Sequence, residues 1–225
     1  ASRPEPAAAP ADRPRFLTSL LDGLRCVGQS RLLVGTVIVS AIFNLWAFPY
    51  VSLAPVIGDR TCGLSPTAIG FLMASEATGG LIGAVVIALR VLPHHFRAVY
   101  GWSPVVFMAG TLGLALSPTP LPGAAALLVA GLGMAGFSAM QMVIPLQAAP
   151  PALRMRVLGV VSMSIGVAPL GFFHAGLMGE LLGARDALRL VAAEGLLAMA
   201  LTLWRYPELL RLVPPAPEAE TGADR

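Results

Sequence analysis

Long apolar stretches separated by short polar breaks set the pattern of this chain. They cover about residues 32–56, 65–92, 99–116, 123–146, 157–182 and 187–204. Each is apolar on every side rather than along one stripe, as expected of a helix whose whole surface meets hydrocarbon or other apolar helices. At about 1.5 Å rise per residue, about 20 residues cross a hydrocarbon core about 30 Å thick. The breaks carry the polar residues and turn formers: Asp59, Arg60 and Cys62; His94, His95 and Arg97; the Ser117-Pro-Thr-Pro-Leu-Pro122 turn; Arg154 and Arg156; and the loop from Gly183 to Asp186. The pattern predicts an all-α, polytopic membrane protein with six transmembrane helices over residues 31–206.

The flanks differ. Residues 1–15, rich in Ala and Pro, read as a flexible cytoplasmic linker, and residues 207–225, rich in Pro and Glu, as a disordered cytoplasmic tail. Residues 16–30 place Leu17, Leu20, Leu21, Leu24 and Val27 on one stripe, an amphipathic helix that lies in the membrane interface or packs on protein loops. The chain starts at Ala and shows no leader pattern, so it is expected either to be processed or to be part of a longer polypeptide.

Composition sharpens the class. Only 12% of residues are charged and 56% are hydrophobic, with mean hydropathy +0.76; soluble domains carry about 25% charged residues. The net charge of +3 does not indicate nucleic acid, because the arginines are spread between the apolar runs rather than gathered on one face. Twelve of the fifteen arginines fall at the end that holds both termini, and Arg60, Arg185 and Arg189 at the other. The positive-inside rule then predicts two cytoplasmic termini, with the chain multi-pass in the cell membrane. Cys26 and Cys62 fall on opposite sides and cannot form a disulfide, which needs Cα atoms within about 7 Å.

Three stretches carry a resemblance. The first is Gly23-Leu-Arg-Cys-Val followed by Asn44-Leu-Trp-Ala-Phe-Pro49-Tyr50 and Pro55. The second is Gly70-Phe-Leu-Met-Ala with Gly79, Gly80 and Gly83. The third is Gln147-x-x-Pro150-x-x-Leu153-Arg154-Met-Arg156-Val157 with Ala168-Pro-Leu-Gly171. In order and spacing they resemble the C-terminal six-helix half of a major facilitator superfamily transporter, of the macrolide-efflux and enterobactin-exporter-like branch. Met155 stands where that branch usually has Gly, and the loop around Arg90 and Arg97 lacks the Asp-Arg-x-Gly core of the superfamily's gating motif. The resemblance implies proton-coupled export of small amphipathic compounds such as drugs or siderophores, by alternating access against an N-terminal six-helix half. It also implies that runs one, two, four and five line a cavity while three and six face lipid. Arg90, Arg97, Gln147, Arg154 and Arg156 would form the cytoplasmic gate and hinge.

Polar groups at membrane depth are costly and each is a site candidate. Glu76 shares a face with Gly79 and Gly83, themselves a close-packing signature, and is the candidate for a coupling proton, with a structural hydrogen bond to a neighbouring helix as the alternative role. His174, Asn44, Gln141 and Ser138 fall in cavity-type runs as substrate or coupling candidates, with interhelical bonding as the plainer role. Glu194 lies deep in the sixth run, where a structural partner or protomer contact is expected. Gly171 and Gly179 belong to a four-residue glycine/alanine repeat suited to helix packing, and Pro49, Pro145 and Pro169 are expected to kink their helices. No metal set, nucleotide loop or other cofactor motif is present in the sequence, and no enzyme activity is expected. Two further classes stay open: a non-transporting scaffold or inactive half, and, remotely, an intramembrane hydrolase using Ser138 and His174.

Overall fold

The computed structural model describes residues 16–212. The expected linker at 1–15 and the tail beyond 212 lie outside the described residues. The described residues are mostly helical with no strand among them, and six helices are long and apolar enough to cross a membrane: Arg31–Thr61, Pro66–Arg90, Pro93–Leu116, Pro120–Ala148, Pro151–Leu182 and Ala184–Arg205. They are the first to sixth spans below. Large apolar side chains within the spans stay bare, among them Leu81 (68% exposed), Phe173 (71%) and Leu197 (62%). A water-soluble domain does not leave so much apolar surface open, and the chain is an all-α polytopic membrane protein.

Local chemistry sets the helix ends. Ser30 caps the first span by accepting from the Leu33 amide, and Ser65 caps the second by accepting from Ala68, with Pro66 just inside. The turn between the first and second spans passes through Gly63 at φ +61°, and the turn between the fifth and sixth through Gly183 at φ +82°. Both are left-handed positions that a side chain would strain.

Inside the spans, three prolines coincide with breaks. The first span is α-helical over Arg31–Ile42, widens to a π-turn over Phe43–Ala47, and resumes after Pro49 as Tyr50–Val56. Pro49 offers no N–H to the Leu45 carbonyl, and the Phe48 amide reaches back five residues to Phe43 instead. The fourth span breaks after Met140 and restarts as Val143–Ala148 around Pro145, and the fifth breaks after Ile165 and restarts as Ala168–Leu182 at Pro169.

Small residues decide which spans meet. The fourth span is held between the second and third along most of its length. A Cβ on Gly79 would collide with the Leu128 carbonyl, one on Gly83 would lie 2.8 Å from Ala135 Cβ, and one on Gly133 2.5 Å from the Phe107 amide nitrogen. The third span then packs on the sixth, and the sixth on the first and fifth. Phe43, Tyr50, Phe107 and Phe137 form the aromatic centre, with Phe43 stacked on Phe137 at 3.8 Å between ring centroids. The third span, expected to face lipid, is as enclosed as the first, because the fourth and sixth cover it on two sides through Gly101, Gly110 and Ser103. The second and fifth spans are the least covered, with 17% and 28% of their most apolar stretch buried against 56% in the first and third.

At the flanks, one open alternative is resolved and one boundary is corrected. The amphipathic helix, Phe16–Gln29, packs on the start of the fifth span and on the first. Its buried face is Gly23, Cys26 and Val27, while Leu21 and Leu24 are 53% and 45% exposed, so the apolar stripe is split between protein and surroundings. Gly23 makes this possible: a Cβ there would lie 2.7 Å from the Arg156 carbonyl oxygen. The tail is not disordered from 207 onward, because Pro207–Leu209 forms a short 3-10 turn that buries Leu209 against Gly35 and Gly101. Arg31 holds this turn, donating 2.8 Å to Glu208 and 2.6 Å to the Arg205 carbonyl.

Candidate functional site

The polar side chains at membrane depth gather in three places. The first lies between the first, third and fourth spans. Thr36, Ser40 and Asn44 follow one another at four-residue intervals down one face of the first span and are all buried. Tyr100 of the third span, fully buried, donates to the Thr36 carbonyl at 2.9 Å and shares a hydrogen bond of 2.9 Å with the Ser40 hydroxyl. Gln141, at the break in the fourth span, donates to the same hydroxyl at 3.3 Å, and the Asn44 amide turns back to the Ser40 carbonyl at 2.8 Å. Asn44 and Gln141 therefore converge on Ser40. Each amide gives one N–H to protein, which suits a fixed junction better than an open ligand contact.

The second place lies between the first, fifth and sixth spans. Glu194 Oε2 accepts from Trp46 Nε1 at 3.0 Å and lies 2.8 Å from His174 Nε2. Trp46 is on the π-turn of the first span and His174 on the segment restarted at Pro169, so two broken helices present their side chains to one carboxylate on the sixth. The sixth span is expected to face lipid, yet Glu194 turns inward onto these partners, because Gly195 lets the first span come close: a Cβ on Gly195 would lie 2.8 Å from Trp46 Cβ. About one third of each partner's side chain remains open, 32% for His174 and 35% for Glu194.

The third is Glu76, half-buried on the second span and close to the Tyr50 phenol of the first. Gly79 and Gly83, on the same helix, pack against Leu128 and Ala135 of the fourth span.

The remaining candidates are scattered. Ser138 is exposed, with only a weak 3.5 Å contact to Met134 sulfur, and has no bond to His174. At the arginine-rich end, Arg156 is paired with Asp22 of the amphipathic helix, and Arg154 donates weakly to the Ala149 carbonyl at 3.4 Å. Arg90, Arg97 and Gln147 form no side-chain hydrogen bond among the described residues; Arg90 and Gln147 are exposed and Arg97 is half-buried. Gly171, one turn past the fifth span's break, sits against the Leu45 carbonyl and Pro49 at the break of the first. Gly179 lines a groove of about 540 Å³ between the end of the first span and the fifth, together with Leu53, Arg60 and Glu180.

Sequence reasoning missed Tyr100, Ser40, Thr36 and Trp46. The Thr36/Ser40/Asn44 stripe was a readable signal for Thr36 and Ser40; nothing local pointed to Tyr100 or Trp46. Among the described residues, no group of three or more His, Cys, Asp or Glu could hold a metal ion. No family model matches the chain, and comparison with curated proteins finds no match.

Proposed function

We propose that this chain is one six-helix half of a secondary active transporter of the major facilitator type, exporting amphipathic organic compounds by alternating access. The observation that carries the reading is the meeting of two broken helices. The first span breaks at Phe43–Pro49 and the fifth at Gly166–Val167, and the helix restarted after the fifth's break lies on the break of the first, where Gly171 sits against Leu45 and Pro49. Interrupted helices at membrane depth are tolerated where they are buried in protein or line a cavity, and they are a recurring device of transporters. The poor coverage of the second and fifth spans supports the missing opposite wall, an N-terminal half on the same or a separate chain.

In this reading both termini are cytoplasmic in the cell membrane, as the arginine bias favours. The groove beside Gly179 belongs to the outer end of the substrate path, and Glu76, at the uncovered second span, meets the substrate or its counter-proton. The separate partners of Ser138 and His174 count against a hydrolytic dyad. The test uses inverted membrane vesicles from cells expressing the whole reading frame that contains this chain, with ethidium as an amphipathic probe. Proton-gradient-driven ethidium uptake that a protonophore and Glu76→Gln both abolish is the expected result. Uptake no greater than in vesicles lacking the protein, for ethidium and for a macrolide alike, would favour the rival reading of a non-transporting scaffold.

A further inference from the structure

We infer that Glu194, His174 and Trp46 form a proton-binding site at the membrane midplane, which ties proton occupancy to the packing of the first, fifth and sixth spans. Its position is set by the spans themselves. Trp46 is the midpoint of the 31-residue first span, and Glu194 is near the middle of the 22-residue sixth. The site joins three helices through a single oxygen, Glu194 Oε2.

The chemistry follows from charge. Indole N–H is a donor only, so Trp46 requires a lone pair on Oε2 and favours the carboxylate. A carboxylate beside a neutral imidazole leaves one net negative charge at membrane depth, where charge is costly. One added proton, taken at the imidazole, converts the group to a neutral ion pair with both hydrogen bonds to Oε2 intact. A second proton, on the carboxyl, would leave a net positive charge and weaken the acceptor that all three helices share. The singly protonated state is therefore the one that belongs to packed spans. When the fifth and sixth spans separate, imidazole and carboxylate lose each other and the proton leaves. By linkage, removing the proton loosens the contact.

The surrounding groups leave this pair to itself. From the first span the partner is Trp46; Tyr50, one turn further, faces Phe107 and Glu76 instead. Tyr100 on the third span is held by Ser40 and Thr36. On the sixth span, Arg189 is held by Asp186 and the Ala115 carbonyl, and Arg185 reaches Cys62. On the fifth, Glu180 lies beyond the site at the groove. Among the described residues no other charged side chain bonds to Glu194 or His174.

The inference does not rest on transport, and its test needs no substrate. The chain has three tryptophans, and Trp102 and Trp204 are exposed, so Trp102→Phe/Trp204→Phe leaves Trp46 as the sole fluorophore. Its emission is followed from about pH 4 to 9 in nanodiscs, with far-UV circular dichroism to check that the helices persist. A sigmoidal change is expected, lost in His174→Gln and displaced by about one pH unit or more in Glu194→Gln, the size of effect one opposite charge has on a neighbour. Both variants keep a hydrogen-bonding side chain, and either one that folds suffices to decide. Emission that does not vary with pH, or a titration that either folded variant leaves within half that shift, overturns the site.

Discussion

Gly70 and Gly79 lie on the same helix, yet the same substitution should have different consequences at the two. A Cβ on Gly70 meets nothing within 4 Å, whereas one on Gly79 collides with the Leu128 carbonyl oxygen and would lie 2.8 Å from its carbon. Ordinary carbon contacts are about 3.5–4.0 Å, so Gly79→Ala must part the second and fourth spans by about 1 Å. That loosens two further contacts on the same seam, Gly83 against Ala135 and Gly131 against Gly80. Alanine favours the helix over glycine by about 0.5–1 kcal/mol at either position. The difference between the variants therefore isolates the overpacking, about 1–3 kcal/mol. Gly70→Ala should be neutral or slightly stabilising and Gly79→Ala less stable than it by that amount. The assay is SDS unfolding in mixed micelles, followed by far-UV circular dichroism. Equal midpoints for the two variants would refute the claim that backbone approach, rather than side-chain complementarity, holds these spans together.

Three other outcomes are expected. Tyr100→Phe removes the hydroxyl that binds Thr36 and Ser40, and should cost about 1–2 kcal/mol in the same assay; an unchanged midpoint would mean that the buried network contributes nothing to joining the first and third spans. Glu208 is held below the usual glutamate range by its own backbone amide and then by Arg31. A depressed carboxylate stabilises the fold above its unfolded range and loses that effect as pH falls through its folded one, so amide protection factors around Arg31 and Tyr206, taken relative to intrinsic exchange at each pH, should fall on acidification, and Glu208→Gln should remove that fall. Cys62 is half-exposed beyond the first span and Cys26 is buried. An impermeant maleimide added to intact cells should label Cys62 and spare Cys26 if the arginine-rich end is cytoplasmic; labelling only after permeabilisation would invert the orientation.

The spans were legible because hydrocarbon burial is a property of each run by itself. The second run, read as 65–92, forms Pro66–Arg90, and Pro49, Pro145 and Pro169 mark real interruptions. A missing N–H and a ring that crowds the preceding turn act within a few residues, wherever the helix finally packs. The gate and hinge candidates were less legible. Arg156 found its partner in Asp22, 134 positions away in the amphipathic helix, while Arg90 and Arg97 found none among the described residues.

Sequence alone determined the class, the number of spans and their breaks, since each depends on local composition. The tertiary structure decided which faces turn inward. In an all-apolar helix no hydrophobic gradient points toward a core, so rotation is set by where small residues let backbones approach. Gly195 draws Trp46 to the sixth span and turns Glu194 inward onto His174, 20 residues earlier on the fifth. Gly23 does the same for the amphipathic helix, leaving Leu21 and Leu24 exposed despite their place on the apolar stripe. The polar partners meet as a result of that backbone packing, and their pairing could only be read once the helices were in place.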